Sequence, residues 1–212
     1  MSNPLKLVPA DYCGSTTLNA GNRCILNARK LAFVCSVRCA ASVILKVYDF
    51  TRLIGKDDLA LLGGFHSPIE KDCLEFLLRG SSAVIVCPAR RLSSSRLPRE
   101  WRKAIETGRM LLLSPFDDKQ KRATAELAAE RNRFVAGIAD EVLIAYAHPG
   151  SKTETLFREV LATGKRVYTF NDPANEHLIS MGAVPIEPDH FSPSTASNSA
   201  AGETDKRRGK TE

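Results

Sequence analysis

Between Leu31 and Ile186, short apolar runs alternate with stretches of helical periodicity, and this alternation restricts the chain more than any other feature. The runs are Leu31–Cys35, Leu59–Leu62, Ala83–Cys87, Met110–Leu113, Val142–Ala145 and Arg166–Phe170, with a short edge strand near Val184–Ile186. Each is short for a helix, and Leu31–Cys35, apolar throughout, suits a strand buried on both sides. Helices are expected over Ala40–Ile54, Pro68–Arg79, Pro98–Thr107, Lys119–Ala136, Thr153–Thr163 and Asn175–Met181. Strand, helix and strand in succession demand right-handed crossovers and parallel pairing. The fold class is therefore α/β, a three-layer domain with a mostly parallel sheet.

Local signals support the boundaries. Ser67-Pro68-Ile69-Glu70 reads as a capping box with proline in the first helical turn. Gly164 stands where the helix ending at Thr163 needs a C′ residue. Residues 1–28 lack periodicity and are expected to form an arm or short helical turn laid on the domain. The domain proper is expected over residues 29–187, and the Ser/Thr/Ala/Gly-rich remainder, 188–212, as a disordered tail.

Composition narrows the class of partner. The chain carries a net charge of +6. From Glu187 onward there are four basic and five acidic residues, which leaves 26 basic against 19 acidic in the body. A basic body favours polyanions. The tail's Lys206-Arg207-Arg208-Gly209-Lys210 run reads as a solubilising feature or a weak nucleic-acid contact. No stretch approaches the ~20 apolar residues of a membrane span, and Met1–Ala10 does not read as a secretory signal. Six cysteines (Cys13, Cys24, Cys35, Cys39, Cys73 and Cys87) form no C-x-x-C pair and no zinc spacing. Buried or incidental thiols, no metal and a cytoplasmic setting are expected.

In an open parallel sheet the ligand crevice lies beyond the carboxyl ends of the strands. Four of the loops there carry small residues, cations or both: Ser36-Val37-Arg38, Gly63-Gly64-Phe65-His66-Ser67, Pro88-Ala89-Arg90-Arg91 and His148-Pro149-Gly150-Ser151-Lys152-Thr153. Such loops present backbone N–H groups and charge to an anion. The Pro149–Thr153 stretch serves either as a phosphate cradle or as a turn with an N-cap. The basic stretch Arg90, Arg91, Arg96, Arg99, Arg102 and Lys103 is either a phosphate-contacting cluster or a solvated face. Arg131 and Arg133 flank Asn132 and would project about 200° apart on a helix, so one is expected to meet ligand and the other to act as an internal clamp. Phe65, Phe116 and Tyr146 lie near strand ends, as stacking or packing residues. No Gly-x-Gly-x-x-Gly run follows a strand, so no dinucleotide cofactor is expected. No nucleophile with a paired base is legible, and no catalytic residue is assigned.

Taken in order, these loops resemble DNA-processing protein A (DprA, also called Smf). Arg131-Asn132-Arg133-Phe134-Val135-Ala136-Gly137 is similar to that family's Arg-Asn-Arg-(apolar)₂-Ala-Gly element, and Ser36-Val37-Arg38 stands at its Gly-Ser-Arg. Gly64–Glu70 stands at its Ser-Gly-x-Ala-x-Gly-Ile-Asp turn, and Gly150-Ser151-Lys152-Thr153 at its Ser-Gly-Ser-x-x-Thr loop. Gly164–Tyr168 resembles its Gly-Arg-x-Val-Phe strand start, and Asn175–Ala183 its Asn-x-Leu-Ile-x-x-Gly-Ala ending. The resemblance implies a Rossmann-like core that binds single-stranded DNA in a basic pocket, with a role in DNA processing or recombination, a recombinase as partner and a homodimer as assembly. It implies DNA contacts at Ser36, Arg38, Gly64, His66, Ser67, Arg90, Arg131, Asn132, Gly150, Ser151, Lys152 and Thr153.

Two other readings share the fold. Pro149-Gly150-Ser151-Lys152-Thr153-Glu154 resembles the Pro-Gly-Gly-x-Gly-Thr-x-x-Glu loop of Lonely-guy-like phosphoribohydrolases, with Arg131 and Glu154 polarising an N-glycosidic bond. A nucleotide-sensing module is the other.

Overall fold

The computed structural model describes residues 8–12, 15–54, 59–90, 97–116 and 122–189. The sheet core begins with β3 (Arg29–Cys35), followed by α1 (Ala41–Leu53), β4 (Leu59–Gly63), α2 (Pro68–Arg79), β5 (Ala83–Val86), α3 (Arg99–Glu106) and β6 (Met110–Ser114). It continues through α4 (Ala125–Ile138), β7 (Glu141–Tyr146), α5 (Lys152–Ala162), β8 (Val167–Phe170), α6 (Glu176–Ser180) and β9 (Val184–Ile186). Ahead of these, β1 (Val8–Tyr12) and β2 (Ser15–Gly21) form an antiparallel hairpin. The strand order is β1-β2-β6-β5-β4-β3-β7-β8-β9. The seven strands from β6 to β9 are parallel, so the expected three-layer, mostly parallel architecture is the one formed.

Alternation along β3 shows why the sheet needs helices on both faces. Leu31, Phe33 and Cys35 enter one core with Val43, Val47 and Phe50 of α1 and Ile69, Leu74 and Leu77 of α2. Ala32 and Val34 enter the other, with Val135 and Ile138 of α4 and Leu156, Phe157 and Val160 of α5. α3 adds Ala104 and Ile105 to the first core, and α6 adds Leu178 to the second. The chain builds outward from β3 to β6, then crosses back through α4 to place β7 on the other side of β3. That reversal creates the switch point at which ligands sit in such sheets.

Two regions differ from the sequence reading. The arm expected over residues 1–28 contains the hairpin, and Leu18–Gly21 of β2 pairs with Leu111–Ser114 of β6. A 3-10 turn over Arg23–Asn27 then feeds β3, with Asn22 capping its start. α4 begins at Ala125, capped by Thr124, whereas helical pattern was read from Lys119. Arg91, Arg96 and the tail from His190 onward lie outside the described residues. No helix among the described residues is long and apolar enough to cross a membrane.

Candidate anion-binding groove

The loop after β4 is built for a close approach. Ser67 accepts the Glu70 N–H at 3.3 Å, and Glu70 returns a carboxylate oxygen to the N–H groups of His66 (2.7 Å) and Ser67 (3.0 Å). The other Glu70 oxygen accepts the Cys35 N–H at 2.9 Å, which ties the end of β3 to the start of α2. A buried carboxylate is thereby satisfied by three backbone donors. Phe65 adopts φ 46, the left-handed region that a bulky residue rarely visits, and its ring is buried in the core. Its strained backbone (on the order of 1–3 kcal/mol) is thus held by packing on one side and the capped helix on the other.

Across from this loop stands Arg131 of α4. Its side chain is only 4% exposed. Nη1 donates to the Cys87 carbonyl at 2.9 Å and Nε to the Asn132 side-chain oxygen at 2.7 Å. No carboxylate among the described residues lies within ion-pair distance of it. Burial lowers its pKa and the neighbouring Glu70 charge opposes that shift, which leaves a cation at any physiological pH. Removing a charge from water without a partner is expensive. Two neutral acceptors and the nearby Glu70 charge offset part of that cost.

The space in front of Arg131 is a groove of about 930 Å³. It runs from the loops after β4 and β5 to the facing sides of α4 and α5, lined by Gly64, His66, Pro88, Arg90, Arg122, Asn132, Arg133, Lys152 and Glu159 among others. Arg90, Arg122 and Lys152 are exposed around its rim. Arg133 meets Glu159 in a two-point ion pair, 2.7 and 2.8 Å, so Glu159 cancels one cation and leaves the others. Among the described residues Glu159 is the one carboxylate on the lining.

No protein-family model matches the sequence, and no curated protein does. Solved structures do match. DprA from Streptococcus pneumoniae superposes with a TM-score of 0.68 at 20% identity, over 84% of this chain and 66% of that one. DprA from Helicobacter pylori, described with a single-stranded DNA binding mode, gives 0.69 at 16% identity over 85% and 90%. The chain has the DprA fold. The molybdenum cofactor carrier protein of Chlamydomonas reinhardtii is a more distant match, with a TM-score of 0.51 at 14% identity over 76% and 91%.

On the DprA fold, the residues singled out in sequence separate into two groups. Gly64, His66, Arg90, Arg131, Asn132 and Lys152 come together on the groove. Ser36, Arg38, Ser67, Gly150, Ser151 and Thr153 are not on its lining. Ser36 is buried and accepts the His148 N–H at 3.1 Å, while Arg38 is exposed on its own loop. Ser67 is committed to its cap. In the Pro149–Thr153 loop, Glu154 takes the Gly150 N–H and Ser151 caps α5 by accepting the Glu154 N–H at 3.3 Å. The loop thus contains a turn closed by an N-cap.

The 200° spacing implied that the two arginines would not share a pocket, yet both line the groove: Arg131 is buried, and Arg133 is exposed and paired with Glu159. Phe65 and Phe116 are buried and Tyr146 packs against the core, so among the described residues no Phe, Tyr or Trp lines the groove. Sequence reading missed Arg122 and Glu159. Arg122 lies among polar residues before α4, and Glu159 looks like any solvated helical glutamate until Arg133 is seen across from it. No metal-holding cluster of His, Cys, Asp or Glu occurs among the described residues.

Proposed function

We propose that the groove binds single-stranded DNA through its phosphates, without catalysis, as part of a DprA-like role in DNA processing. The observation that carries this reading is Arg131: a buried guanidinium with no carboxylate partner among the described residues, on the floor of a groove whose rim is cationic. Its geometry suits phosphate oxygens, because hydrogen bonds at Nε and Nη1 fix the planar fork before ligand arrives. The single-stranded DNA binding described for the Helicobacter pylori protein of the same fold supports the choice of polymer.

The test is fluorescence anisotropy of labelled oligothymidine at two salt concentrations, with a duplex of equal length beside it. Phosphate neutralisation releases counterions, so affinity is expected to fall steeply with salt. Binding that ignores salt, or no binding at low salt, overturns the reading. With no Phe, Tyr or Trp on the groove among the described residues, sequence preference is expected to be slight. Recombinase loading and a homodimer are finer expectations of the same reading, tested by strand exchange and by sedimentation.

The hydrolase reading meets a specific obstacle. Glu154, its required acid, is not on the groove; its oxygens accept from the Gly150 N–H and from Arg158. Incubation with nucleoside monophosphates is expected to release no base.

A further inference from the structure

The geometry points to a seat for a terminal phosphate monoester at the floor of the groove, with Arg131 as the residue that receives it. This rests on the DNA-binding reading and specifies which part of the strand is held most tightly.

The argument begins with depth. Arg90, Arg122 and Lys152 are exposed at the rim, whereas Arg131 retains 4% exposure. Two of its nitrogens have partners, and Nη2 has none among the described residues. Arg131 itself lines the groove, so this unbonded nitrogen is its remaining donor for a ligand there. What Arg131 offers is therefore a small, recessed donor patch, flanked by the Gly64 backbone.

A phosphodiester inside a strand carries a sugar on each side, and both must enter if its oxygens are to reach a recessed donor. A terminal monoester has one ester link and three outward oxygens, and it enters end-on. Charge favours the same group. A monoester carries roughly −1.5 to −2 at neutral pH against −1 for a diester, and ion pairing strengthens where water is excluded. The rim cations then hold the diester phosphates that follow.

The same chemistry is offered by a strand end and by a free mononucleotide, and the experiment separates them. Anisotropy titrations use one oligothymidine with a 5′-phosphate, a 3′-phosphate or hydroxyls at both ends, and thymidine 5′-monophosphate as competitor. One phosphorylated strand is expected to bind at least about tenfold tighter than the hydroxyl-ended strand. If the mononucleotide competes as well as that strand, the seat takes free nucleotide; if it competes weakly, the strand end is the ligand. Equal affinity for all three strands overturns the proposal and leaves DNA binding intact. No binding of any strand overturns both. Arg131→Lys, with folding checked by thermal melting, is expected to collapse the ratio between phosphorylated and hydroxyl ends. Lys152→Ala is expected to lower both affinities and preserve the ratio. Should the lysine variant not fold, Asn132→Ala, which releases Nε, is expected to reduce the same ratio; an unchanged ratio in a folded variant of either kind counts against the seat.

Discussion

Gly64 lies directly over the guanidinium of Arg131: a Cβ placed on it would fall 1.5 Å from Nη1 and 1.8 Å from Cζ. The contact works in two directions. Absence of a side chain at 64 lets a helix α4 arginine reach the carboxyl ends of β4 and β5, and the arginine in turn fills the space beside the loop after β4. One glycine therefore fixes how deep the floor of the groove can be.

Gly64→Ala is expected to displace the guanidinium, because the clash is with the head of Arg131 and its two hydrogen bonds oppose retreat. Stability should fall by about 1–3 kcal/mol, and DNA affinity by about tenfold or more. Gly137→Ala provides the contrast. A Cβ there meets nothing within 4 Å, and the position is inside α4. It is expected to leave binding intact and to raise stability by up to ~1 kcal/mol. Thermal melts and anisotropy on the pair check both halves; equal behaviour of the two variants would contradict the contact.

Charge on the groove yields predictions of opposite sign. Lys152→Ala and Arg90→Ala each remove an exposed cation from the rim and should flatten the salt dependence by about one unit of slope each. Glu159→Gln should do the reverse. It removes that carboxylate from the lining and releases Arg133 from its ion pair, so affinity at low salt rises and the slope steepens. The exposed, solvent-screened Arg133–Glu159 pair contributes little to stability, so folding should survive. A Glu159→Gln protein that binds more weakly than wild type would show that Glu159 positions Arg133 productively instead of competing with ligand.

The predicted parts of the fold were those written locally. Ser67 and Glu70 are three residues apart, and their capping box forms in the structure as the sequence spelled it. Leu31–Cys35 declared a doubly buried strand by composition alone, and both cores claim it. The hairpin was hidden because Val8–Tyr12 contains proline and aspartate and Ser15–Gly21 is mostly small and polar. β2 is specified by pairing with β6, a contact no local window contains, and β1 by pairing with β2. The groove was half legible for the same reason. Arg131 and Asn132 stood out as a motif, but only the structure shows Glu154 turning its carboxylate to Gly150 and occupying an N–H that a phosphate would need.

Acid should weaken the fold through two carboxylates. The Gly150 N–H first, and Arg158 second, hold the Glu154 carboxyl below its ordinary range. Burial pushes the Asp140 carboxyl up, but Lys30 outweighs it with its ammonium at 2.9 Å and its backbone N–H at 2.7 Å, and the net direction is down. A group with a folded pKa below its unfolded one stabilises fully above the unfolded value, about 4, and ceases to as pH falls through the folded value. Asp140→Asn should therefore be less stable than wild type at pH 7, with the two stability curves converging below about pH 4. Urea melts across pH check this, and curves that stay parallel would exclude the linkage.

Thiol reactivity should report the same layering. Cys73 and Cys87 are fully enclosed, and burial pushes both thiols up to about 12, against the Thr51 hydrogen bond at Cys73 and the Arg131 charge at Cys87. Cys35 is also buried and raised, chiefly by its hydrogen bond with Cys39. That bond lowers the thiol of Cys39, which is half-buried, and Cys24 is exposed. The thiolate is the reactive form, so iodoacetamide at neutral pH is expected to modify Cys24 and Cys39 in the native protein. Cys73 and Cys87 should react only through opening of the fold, slower by about a thousandfold or more, and peptide mass spectrometry over time resolves the classes. Because Cys87 supplies the carbonyl that anchors Arg131, bound single-stranded DNA should slow its labelling further while leaving Cys24 unchanged. Protection of Cys24 and Cys87 alike would place the ligand elsewhere on the surface.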